Sequence, residues 1–121
     1  MALPASTQEK SVLLARLMGW QCIYAADGVC AVIRGREFVG TSTAFWYTET
    51  GPHLDFYEAE NMALAWKIMA RTLEIDPNLK ADFRIWWQSQ ALYQIKPPKI
   101  AQRLWLDKIL ELAVQAELLV V

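Results

Sequence analysis

The stretch from Trp20 to Arg34, WQCIYAADGVCAVIR, constrains this chain more than any other. It reads as two short strands joined at Ala26-Asp27-Gly28, because Asp-Gly is a hairpin signal and glycine tolerates the positive φ of a tight turn. A strand with one wet face alternates apolar and polar residues. Here Cys22, Ile23, Tyr24 and Ala25 run together, and so do Val29, Cys30, Ala31, Val32 and Ile33. Such a hairpin asks for cover on both faces. A two-residue Asp-Gly turn sets Cys30 against Ala25 and Cys22 against Ile33, with the thiols on opposite faces. A three-residue turn puts both thiols on one face, though not opposite each other. Neither geometry favours a disulfide, and two buried thiols suit a reducing cytoplasm.

The flanking segments read as helices. Ser6-Thr7-Gln8-Glu9 fits a capping box after a loose start at residues 1–5. Val12, Leu13, Ala15, Leu17 and Met18 follow as a helical apolar stripe, and Gly19 is placed to end it. Residues 35–54 read either as a third strand or as a long ordered loop, closed by the break at Gly51-Pro52. Asp55-Phe56-Tyr57-Glu58 is a second capping box and predicts a helix from about Phe56 to Leu73, with Met62, Ala65, Trp66, Met69 and Leu73 on one face. Ile75-Asp76-Pro77-Asn78 turns the chain. The alternation in Asp82 to Gln88 predicts a strand, with Phe83, Ile85 and Trp87 pointing one way, and Leu92 to Ile95 could pair back on it.

Pro97-Pro98 opens a last helix running to about Leu118, since a first-turn proline is tolerated. Ala101, Leu104, Trp105, Ile109, Leu112, Ala113 and Ala116 form one stripe, predicted to bury Trp105 and Ile109 against the sheet. Leu106, Leu110, Val114 and Leu118 form a second beside it. A helix on a small sheet buries one stripe, so the second is expected to pair with its copy in a homodimer. The expected architecture is therefore α+β: a small, mostly antiparallel sheet with helices on both faces, an α/β/α sandwich in the order α-β-β-(β)-α-β-α.

The 121 residues suit a single domain, residues 1–121, and 55% of them are hydrophobic. That is enough apolar surface for a core without staples. A formal net charge of −1 argues against non-specific nucleic-acid binding over the whole surface. Six tryptophans supply core, and aromatics of this kind are also enriched at interfaces. Met1 to Pro4 lacks a basic start and no run approaches membrane-spanning length, so a cytoplasmic location without a membrane partner is expected.

Candidate chemistry is sparse. His53, the single histidine, sits in an apparent turn with no partnered nucleophile. Cys22 and Cys30 have apolar neighbours that argue for inert thiols. Two cysteines and one histidine without ligand spacing give no zinc site. Glu49, Asp55, Glu58 and Glu60 read as capping and helix-dipole residues more readily than as a magnesium site. No cofactor is implied and catalysis is not favoured. The most suggestive group is Lys96, Lys99 and Arg103 at the start of the last helix, with Tyr93 and Trp86 offering π-faces. Such a basic, aromatic site would suit a nucleotide or a nucleic-acid end.

Three segments resemble the small phage and prophage proteins of the phage ABA sandwich type. They are Leu17-Met18-Gly19-Trp20, Ala59-Glu60-Asn61-Met62-Ala63-Leu64, and Ala101-Gln102-Arg103-Leu104-Trp105 with Ile109 to Ala116. The resemblance covers most of residues 8–118, while residues 35–54 and the Trp86-Trp87 pair match nothing in that group. It implies helices over both faces of a sheet, a phage origin and action inside a bacterial host cell, and it carries over no catalytic residue. The resulting expectation is an accessory protein that binds a host or phage macromolecule, such as a component of a host defence system. The alternative is a nucleotide-binding or nucleotide-sequestering protein using the basic, aromatic group.

Overall fold

The computed structural model describes residues 3–91 and 98–119. The class is the expected α+β. The elements are α1 (Thr7–Met18), β1 (Gln21–Ala25), β2 (Val29–Arg34), β3 (Glu37–Ser42), β4 (Phe45–Thr48), β5 (Gly51–Leu54), α2 (Met62–Ile75), α3 (Pro77–Ala91) and α4 (Pro98–Gln115). The strands form two antiparallel sheets, β1-β2-β3 and β4-β5. Residues 35–54 thus hold a third strand and then a separate hairpin.

Helix α1 begins and ends as its sequence dictates. The Ser6 hydroxyl accepts from the backbone N–H groups of Gln8 and Glu9, and Gly19 closes the helix at φ 66°. The first hairpin uses the three-residue turn. Ala25 pairs with Val29, and Asp27 and Gly28 both take positive φ. Cys22 lies opposite Val32 and Cys30 opposite Tyr24, so the thiols share one face without facing each other, and both are free.

The sheet has a wet side and a dry side. Cys30 and Val32 are fully buried, whereas Ile23 and Phe38 are about half and two-thirds exposed. The dry side meets β5 and α2. At Val39 the register between β2 and β3 slips by one residue. That bulge turns Val39 inward and brings Gly40 so near Leu64 that a Cβ there would stand 2.9 Å from Leu64 Cδ2. Lys67 of α2 donates to the Val39 carbonyl on the open edge of β3, and Arg71 pairs with Glu37 at 3.6 Å. The bulge and these side chains guard the edge strand against further pairing.

The second capping box works differently from expectation. Asp55 Oδ1 does accept from the Tyr57 backbone N–H at 2.9 Å, but the chain then makes a turn, and α2 starts only at Met62 after a short 3₁₀ turn, Ala59–Asn61. The first part of this loop is buried, with Phe56 and Tyr57 almost wholly enclosed. Its backbone polar groups must therefore find protein partners. Ser11 Oγ accepts from Phe56 N–H, Gln102 Nε2 donates to the carbonyls of Phe56 and Glu58, and Asn61 Nδ2 donates to the carbonyls of Ala44 and Asp55.

Asp82 to Gln88 is not a strand. It is the middle of α3, whose start is set by Asp76: its carboxylate accepts from Asn78 N–H at 2.8 Å, with Pro77 in the first helical position. Leu79 and Phe83, four apart, are the buried residues, while Ile85 is 67% exposed. The alternation of aromatic and polar residues was incidental, and the cap upstream decides the segment. The expected return pairing at Leu92 to Ile95 lies outside the described residues, as do Met1 and Ala2 of the expected loose start. Helix α4 ends at Gln115 rather than Leu118. Leu118 N–H donates to the Ala113 carbonyl and Glu117 N–H to the Val114 carbonyl, with Glu117 at φ 61°. One hydrophobic cluster joins all these pieces, running from Leu14 through Val32, Phe56 and Ile68 to Ile109.

Candidate functional site

Helix α4 organises the residues that sequence reasoning singled out. Gln102, Leu106, Ile109, Leu110 and Ala113 are fully buried along it. Both expected stripes therefore contribute to the core, although Leu104 and Trp105 are only partly buried and Ala116 is exposed. Leu106 and Leu110, offered as a dimer contact, have no free surface; Val114 is half-buried, and only Leu118, beyond the helix end, is substantially exposed. The stripe that motivated self-association is covered within one chain, because α2 and α3 both pack on α4. Ile109 is buried as expected. Trp105 is only partly so, and it packs on tryptophans of other helices rather than on the sheet.

The proposed basic, aromatic constellation is divided. Tyr93 and Lys96 lie outside the described residues, and Lys99 is placed in the first turn of α4. Arg103 and Trp105 are two positions apart, which at 3.6 residues per turn sets them on opposite edges of the buried arc. Arg103 belongs to the edge facing Tyr57, where its charge acts on the phenol. Trp86 belongs to the other edge, beside Lys108 and Trp87. The structure does not bring Arg103 and Trp86 into one site.

On the Arg103 edge lies a polar cluster that the sequence did not reveal. Tyr57 Oη donates to Asp107 Oδ1 at 2.9 Å, and Lys10 Nζ reaches the same oxygen at 2.9 Å. The Lys10 ammonium also sits 5.5 Å from the Tyr57 ring centroid. Thr7 donates to Asp55 Oδ2 at 3.1 Å, completing the attachment of α1 to the buried loop. Burial, and then the Asp107 carboxylate, push the Tyr57 phenol far above the usual tyrosine range. The phenol holds its proton firmly, as suits a cross-link between helix and loop.

On the other edge the aromatic side chains of three helices meet. Trp66 of α2 packs at 4.8 Å on Trp105 of α4, which packs at 5.4 Å on Trp87 of α3. Trp86 continues the series to Phe83, and Lys108 lies over the Trp86 ring at 5.9 Å. The four indoles form a ridge across α2, α3 and α4. Trp66, expected on the apolar face of α2, is 50% exposed. The signal for this ridge is in the sequence as six tryptophans, but the alternation in the segment that carries two of them favours a strand.

The remaining candidates resolve simply. The Cys22 and Cys30 thiols are both pushed up by burial, which disfavours the thiolate form. Asp55 is buried and fully engaged, Glu60 accepts from Thr43, and no group of three metal-ligating side chains occurs among the described residues. No helix among the described residues is long and apolar enough to cross a membrane. Comparison with protein-family models, with curated proteins and with solved structures finds no match for this chain.

Proposed function

We propose that this is a small accessory protein of the phage type that acts by binding a partner protein, with the tryptophan ridge as its contact face. A bacterial host cell is the setting, and a component of a host defence system is the partner class that the proposal names. The observation that carries the reading is Trp66, half exposed and held against Trp105 on a rigid three-helix platform. Partly exposed tryptophan on a fixed scaffold is the side chain most enriched at binding hot spots, since it offers large contact area at low entropic cost. A protein partner is favoured over a nucleotide or nucleic-acid end because the basic Arg103 and the indole of Trp86 stand on different edges of α4. The groups most able to do chemistry, the two thiols and the Tyr57 phenol, are held in their neutral forms, which supports binding over catalysis.

The test places a benzophenone amino acid at Trp66 and, as control, at the exposed Thr41 on β3, with irradiation in host cells. A discrete adduct from position 66, absent from position 41 and lost when Trp87→Ala is added to a chain that still folds, is the expected result. No adduct, or the same adducts from both positions, overturns the proposal. A nucleotide panel in a thermal-shift assay covers the alternative: stabilisation abolished by Arg103→Ala would favour the nucleotide reading.

A further inference from the structure

The groove between α1, β1 and β5 brings together residues that are far apart in the sequence. Val12, Ala15, Trp20 and Ile23 give it apolar walls, and Arg16, Gln21, Cys22 and His53 supply its polar groups. It encloses about 350 Å³, within the range of small-molecule sites, and has their character of apolar walls with a few convergent polar groups. Among the described residues, Arg16 is the only formally charged one along it, and no carboxylate lines it. The Arg16 guanidinium makes no salt bridge among the described residues. The Cys22 thiol, kept protonated by burial, adds no negative charge.

His53 ends a chain of contacts along the β4–β5 turn. Thr48 Oγ1 donates to the Gly51 carbonyl at 3.0 Å and lies 3.0 Å from the Thr50 hydroxyl. Thr50 Oγ1 in turn lies 3.1 Å from His53 Nε2. Nε2 is thereby engaged within the hairpin. The ring is held in place by stacking on Trp46, with centroids 5.5 Å apart and planes 27° apart.

We propose that this groove binds a small amphipathic monocarboxylate, its aliphatic tail against Val12, Ala15, Trp20 and Ile23 and its carboxylate between Arg16 and His53. A guanidinium matches the planar two-oxygen geometry of a carboxylate and pairs with it through two parallel hydrogen bonds. One cation and one histidine, with only the neutral Gln21 and Cys22 as further polar groups, balance a single negative charge and no more. This site is separate from the tryptophan ridge and does not depend on its function.

The experiment titrates the full-length protein with octanoate, octanol and octylammonium, followed by ¹H–¹⁵N spectra of the backbone and of the imidazole. Octanoate should shift the amides of residues 12–23 and 53 saturably, bind at least tenfold more tightly than octanol, and leave octylammonium without effect. Arg16→Gln, on the exposed side of α1, should weaken octanoate at least tenfold with the fold intact, and His53→Gln should do so too. If His53→Gln does not fold, Arg16→Gln and the octanol comparison decide. Absent saturation by octanoate, equal binding of octanol, or an Arg16→Gln protein that binds as wild type would each overturn the proposal.

Discussion

Tyr57 and Asp107, fifty positions apart in the chain, meet at 2.9 Å through a hydrogen bond from the phenol to the carboxylate. With Lys10 on the same carboxylate oxygen, this contact ties α1, the buried loop and α4 together. Tyr57→Phe keeps the ring and removes the donor. It should cost about 1–2 kcal/mol, the range for a hydrogen bond to a charged partner that water can partly reach. Urea denaturation at neutral pH measures it.

The same phenol makes a pH prediction. Its folded-state affinity for the proton is raised, first by burial and then by Asp107. Above about pH 10 the unfolded chain loses the tyrosine proton while the folded one retains it, so the unfolded state binds fewer protons and stability falls with rising pH. The contribution is complete below that pH. Wild type should therefore lose stability more steeply than Tyr57→Phe between about pH 10 and 11.5. Parallel slopes in alkaline denaturation would contradict the assignment.

Leu110→Glu tests the burial of the second stripe. Leu110 is fully enclosed within one chain, so a carboxylate there has neither water nor a partner. The substitution should unfold the protein or cost more than about 4 kcal/mol. A folded, monomeric Leu110→Glu protein with nearly native stability would show instead that this face lies between subunits.

Glu117 sits at φ 61°, in the position after α4 where glycine is usual. A side chain there is strained, and the same position after α1 is filled by Gly19. Glu117→Gly should stabilise the protein by about 0.5–1 kcal/mol, the relief of strain being partly offset by the greater freedom of glycine in the unfolded chain. Thermal denaturation reads the gain directly.

Both cysteines should react slowly with a disulfide reagent in the native state. Cys30 is fully buried and both thiols are raised by burial, so little thiolate is available. Labelling of both thiols as fast as in the urea-unfolded chain would contradict this.

Local signals were legible because they involve neighbours in the chain. The Ser6 cap and the Gly19 stop bound α1, and Asp27-Gly28 turns the first hairpin, since each depends on backbone geometry within a few residues. The α+β class followed from these signals and the apolar runs. The amphipathic pattern of α4 was legible too, but not what covers each side of it. That required knowing that Asp82 to Gln88 is helical, because α3 supplies the second wall of the core. The alternation there favoured a strand, and the Asp76-Pro77 start outweighed it. Only the tertiary structure separated Arg103 from Trp86, since a shift of two positions on a helix reverses the side on which a residue stands. Only packing joined Tyr57 to Asp107, and set His53 along the groove that Arg16 and Cys22 also line. Such contacts close loops tens of residues long, and no pattern within either segment records the partner.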